Sequence, residues 1–117
     1  MTFLKRYSDH LYSLMRVIAG FLFACHGAQK LFGVLGGPEM RHIPLMLAAG
    51  IIEFFGGLLI ALGVFTAIAA FIASGEMATA YFLRHAPNDL WPIRNHGEMA
   101  VLFCFVFLFI ASRGDGT

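Results

Sequence analysis

Seven residues of this 117-residue chain are well solvated by water yet lie inside or at the edge of long apolar runs: Arg16, His26, Gln29, Lys30, Glu53, Glu76 and Glu98. A charged side chain at the centre of a helix in lipid costs on the order of 2.5–3.5 kcal/mol, so such groups are expected to face protein or trapped water. Imidazole, ammonium and carboxylate groups are also the ones that pass protons. Gln29 and Lys30 follow His26 at i+3 and i+4, which lays the three along one stripe of a helix. The helical neighbours of Glu53 include Met46, Ala49, Gly50, Gly56, Gly57 and Ile60, and those of Glu76 include Ala69, Ala73, Thr79 and Ala80. Small residues at this spacing let membrane helices approach closely, so both glutamates are expected to point into a bundle.

The elements that carry these residues follow from the apolar pattern. Hydrophobic residues make up 59% of the chain and charged residues 13%, with a mean hydropathy of +0.77. That composition lies outside the usual range of a soluble domain and leaves no room for a separate one. The net charge of +1 and the lack of a basic run give no footprint for nucleic acid. Four apolar segments are expected as helices, over about residues 11–32, 44–62, 66–83 and 97–111. The first is too long for a signal-peptide core of about 7–15 residues and reads as a retained helix. Lys5, Arg6, Ser8 and Asp9 lead into it, and glycines end it. Pro44 suits the first turn of the second helix, and only Gly63, Val64 and Phe65 separate the second from the third, which makes these two antiparallel neighbours. The segment 84–96, with Pro87, Asn88, Asp89, Trp91 and Pro92, reads as a loop with an aromatic anchor at the water boundary. The expected fold is all-α: one antiparallel bundle of four transmembrane helices spanning residues 1–117.

Counting from the helix ends beside the two longer loops puts His26, Glu53 and Glu76 at one level, roughly 9–14 Å deep at a rise of 1.5 Å per residue. Lys30 and Glu98 lie nearer the surface. Each residue also has a plainer reading. Glu98 follows Asn95 at capping-box spacing, Glu53 and Glu76 can serve as hydrogen-bonded packing groups, His26 can be a core histidine, and Lys30 can snorkel. Arg16, near the other end of its helix, is expected on backbone carbonyls or at the interface. Cys25 and Cys104 share a depth and are read as inert buried thiols.

In order and spacing, several stretches resemble the DoxX family of small four-helix membrane proteins. They are Arg16, the run His26-Gly27-Ala28-Gln29-Lys30-Leu31, and Glu53-Phe54-Phe55-Gly56-Gly57-Leu58 with Leu62-Gly63. Glu76-Met77-Ala78-Thr79-Ala80 and Trp91-Pro92 with Asn95-His96-Gly97-Glu98 complete the pattern. His96 departs from it, standing where a small residue is usual, and the C-terminal tail is shorter than is common. The resemblance implies membrane redox chemistry linked to quinones or to oxidative stress. On that reading His26, Lys30, Glu53, Glu76 and Glu98 are the candidate catalytic residues, and Gln29, Trp91 and Asn95 are candidates for holding a ligand, with quinone the expected one. The chain has no Cys-x-x-Cys, nucleotide-binding glycine or haem signature, so electrons are expected from a partner redox protein. Two alternatives stay open: a non-enzymatic subunit that docks soluble redox partners, and a metal-binding bundle built from His and Glu. The expected setting is a bacterial cytoplasmic membrane with both termini cytoplasmic, which the spread of Lys and Arg favours, and self-association through small-residue faces is a further expectation.

Overall fold

The structure, a computed structural model, describes residues 2–34, 36, 41–85, 87–88, 91–92 and 97–114. A short helix α1 (Thr2–Lys5) precedes four long ones: α2 (Ser8–Phe32), α3 (Pro44–Leu62), α4 (Thr66–Ala80) and α5 (Glu98–Arg113). The chain continues past α4 in a π-helical turn, Tyr81–His85. Helices α2 and α3 stop where a glycine takes the left-handed conformation that side chains disfavour, Gly33 at φ 68° and Gly63 at φ 78°. The Gly63 and Val64 amides both donate to the Leu59 carbonyl, which closes the last turn of α3 and sends the chain directly back into α4.

Three of the helices, Ser8–Phe32, Pro44–Leu62 and Thr66–His85, are long and apolar enough to cross a membrane. The fourth long helix, α5, has 16 residues, which rise about 24 Å, and it packs with the other three as the expected four-helix bundle. Large apolar side chains point outward along the whole bundle, among them Phe21 at 61% exposure, Phe71 at 65% and Phe105 at 64%. A surface of that kind is stable in lipid and not in water. The protein is an integral membrane protein.

Two close helix pairs make up the bundle. Helix α2 lies against α3, and α4 against α5, while the seam between α3 and α4 is less extensive and α2 barely meets α5. Glycines set the first pairing: a Cβ added at Gly20 would fall 2.6 Å from the Ala61 nitrogen, and one at Gly57 2.5 Å from the Ala24 nitrogen. The backbones therefore touch. In the second pairing Ala70 and Ala73, fully buried, share one core cluster with Phe103, Phe107 and Ile110 of α5, and Ser74 Oγ donates to the Cys104 carbonyl at 2.8 Å. Phe23, Phe103 and Phe107 fill the centre, with ring centroids 4.7–5.6 Å apart. Cys25 and Cys104 are both free thiols.

Arg16 lies on backbone carbonyls, as expected. Its Nη1 donates to the carbonyls of Ile60 and Ala61, at 2.5 and 3.0 Å, in the last turn of α3, where the regular helical bonding of carbonyls runs out. Gly63 leaves room for the guanidinium, which a Cβ there would approach to 3.1 Å. Arg16→Met keeps the stem and removes the charged donor, so it is expected to cost about 1.5–3 kcal/mol, read as a lower unfolding midpoint in detergent. An unchanged midpoint would assign Arg16 to the interface instead.

Candidate functional site

Between the two helix pairs lies a cavity of about 470 Å3. Its walls are mostly apolar, from Phe23, Met46, Ala49, Met77, Ala80, Ala100 and Phe103. Glu53 of α3 is 1% exposed, and Lys30 Nζ of α2 donates to its Oε1 at 2.5 Å. The reach is short because α2 and α3 are pressed together on both sides of the pair. Gly27 and Gly50 stand three residues before Lys30 and Glu53, and a Cβ at Gly27 would fall 2.2 Å from the Phe54 nitrogen, while one at Gly50 would fall 2.9 Å from Leu31 Cδ2.

Glu76 enters from α4, its carboxyl facing that of Glu53. Its Oε1 is buried and has no hydrogen-bond partner. A buried polar oxygen left unpaired is costly, and a carboxyl that carries a proton can turn its O–H to an acceptor oxygen brought into the cavity. One ammonium and two carboxyls, in a space walled by apolar side chains, can hold and relay a proton without bulk water.

The structure redistributes the other expected site residues. His26 lines the cavity but is exposed, its ring edge-on to Phe103 at 6.0 Å between centroids. The expected buried His/Glu cluster is therefore corrected: among the described residues no buried cluster of that kind forms, because α2 is rotated so that Gly27 meets α3 and His26 turns to the cavity rim. Nor, among the described residues, does any group of three His, Cys, Asp or Glu side chains stand close enough to hold a metal ion, which leaves the metal-binding reading without a ligand set. Glu98 is exposed at the start of α5, on a groove with Pro92, Leu102 and Phe105, and does not line the cavity. Neither Gln29 nor Trp91, 61% exposed, lines the cavity. Asn95 lies outside the described residues.

Sequence reasoning overlooked Arg84, His85 and Asn88 at the rim. The segment from Arg84 onward reads as loop in sequence, whereas the π-helical turn carries the helical path on through His85. The available signal was a pair of basic residues directly following an apolar helix. Met46, a helical neighbour of Glu53 by spacing, lines the cavity with it.

Residues 11–86 match the DoxX family. A protein of Haemophilus influenzae, itself described only as uncharacterized, is 37% identical over 123 residues, which cover 99% of this chain and 92% of that protein. No solved structure matches the chain. With a family match over most of the chain and a relative aligned almost end to end, on a bundle of apolar helices around an inward-facing carboxylate pair, the protein belongs to the DoxX family.

Proposed function

We propose that the cavity is where a quinone or quinone-like ring takes up protons during reduction, with electrons delivered by a partner redox protein. The observation that carries this reading is the Lys30–Glu53 ion pair beside the unpartnered Glu76 Oε1, in an apolar space large enough for a ring. Apolar walls suit the ring, and convergent polar groups suit its two oxygens. Reduction adds two electrons from the partner and two protons, one forming an O–H bond at each carbonyl oxygen. Glu76 is the group that hands protons over, Lys30 and Glu53 set the charge around it, and His26 at the rim receives protons from the aqueous side. The rim then faces away from the cytoplasm if the Lys5, Arg6 and Arg113 end faces inward, the orientation that the positive-inside tendency favours.

Glu76→Gln keeps the shape and removes the proton carrier. In liposomes supplied with decylubiquinone and a reduced viologen as donor, its turnover is expected to fall about a hundredfold or more, the scale of a lost general acid, with helical content and gel-filtration profile unchanged. Full turnover in the glutamine variant would make the carboxyl a packing group. Wild-type protein that neither binds quinone nor turns it over would point to a docking subunit, in keeping with the absence of an electron-carrier motif in this chain.

A further inference from the structure

A second space, of about 270 Å3, lies on the lipid side of the α3–α4 seam. Leu45, Ile72 and Leu83 on its walls are exposed to the surroundings of the bundle. Gly75 keeps it open, since a Cβ added there would meet nothing within 4 Å. Met46, Ala49, Glu76, Ala80 and Arg84 line both this groove and the central cavity, so they form the partition between the two.

Long flexible side chains hold the partition at one point. Arg84 Nη1 lies 2.8 Å from Met46 Sδ, and among the described residues Arg84 has no carboxylate partner. A thioether is a weak acceptor, so the guanidinium gains by exchanging it for a ligand oxygen. Both side chains are unbranched at the β-carbon and can swing without backbone movement. Arg84 also sits on the π-helical turn, an arrangement that concentrates at functional sites.

We propose that the α3–α4 seam is a lateral entrance through which an apolar ligand with an oxygen head passes from the bilayer into the cavity, and that Arg84 binds that oxygen in place of Met46. The identity of the ring rests on the quinone reading above; the path and the role of Arg84 do not. Such ligands partition into lipid, and the groove offers apolar walls to the body and a cation to the head. A quinone and a fatty carboxylate share this chemistry, and two probes separate them.

The test measures binding of decylubiquinone and of laurate to the full chain in lipid nanodiscs. Arg84→Met is expected to weaken binding about tenfold or more, the scale of a lost charged hydrogen bond, and Arg84→Lys less. Met46→Leu, which keeps Arg84 and removes only the sulfur, is expected to bind as tightly as wild type or tighter. Gly75→Phe puts a ring on the groove wall from a position where the Cβ meets nothing within 4 Å, and it is expected to slow uptake about tenfold, by blocking the path. Arg84-dependent binding of laurate without decylubiquinone supports the entrance and overturns the quinone reading. Decylubiquinone binding unchanged in Arg84→Met overturns the role of Arg84 and leaves the quinone reading standing. Unslowed uptake in Gly75→Phe overturns the lateral entrance, and binding of neither probe by wild type overturns both inferences.

Discussion

Glu53→Ala is expected to lower the unfolding free energy by about 3 kcal/mol, the lower end of the range for breaking a buried ion pair from one side. The reason is the ammonium left behind. Lys30 is held against Glu53 by the α2–α3 packing, with 24% of its side chain exposed, so it keeps a partial path to the cavity but loses its counter-ion. The low end of the range follows from that residual access. The companion variant separates structure from function. Lys30→Met with Glu53→Met replaces both charges by apolar side chains of similar length, and such replacements are often neutral or stabilising. The double variant is therefore expected to recover most of the stability while turnover stays lost. Thermal unfolding in detergent reads the first quantity, and quinone reduction in liposomes the second. If Glu53→Ala unfolds within about 0.5 kcal/mol of wild type, the scale of an ordinary surface change, the two residues are not paired in the membrane.

Gly27→Ala should be as damaging for a steric reason. The added methyl would fall 2.2 Å from the Phe54 nitrogen and 2.6 Å from its Cα, and both are backbone atoms with no side chain to swing aside. The two helices must separate, at a cost of about 3 kcal/mol, the upper part of the usual range for overpacking. Because Lys30 is three residues on and Glu53 precedes Phe54, the same separation loosens the ion pair, so turnover falls together with stability. Gly56→Ala is the control. Its Cβ meets only Phe23 Cε2, at 4.0 Å, and alanine is the better helix former, so that variant is expected to match or slightly exceed wild-type stability. Equal melting of the two variants would overturn the close α2–α3 approach.

Gly56 and Gly57 show where reading the sequence stops. They are adjacent and identical in type, yet Gly57 touches the backbone of Ala24 and Gly56 has space. In a soluble helix, amphipathicity would distinguish the inward face from the outward one. A membrane helix has apolar surroundings on both sides, and much of that signal disappears.

What the sequence by itself determined is local. Apolar runs set α2, α3 and α4, Pro44 opens a helix, and Gly33 and Gly63 close two by taking a backbone conformation that other residues avoid. The membrane as solvent also followed, as did the inward pointing of Glu53 and Glu76, because ionised groups are costly in hydrocarbon wherever the fold places them. Tertiary structure alone decided the partners. Lys30 meets Glu53 while His26, one turn earlier on the same stripe, faces the rim. Glu98 lines a groove and not the cavity, and Arg84 comes back to the cavity on a π-helical turn. Spacing along a helix specifies which residues share a face, but the rotation and depth of each helix come from the glycines that let its backbone touch a neighbour, and those contacts join residues far apart in the chain.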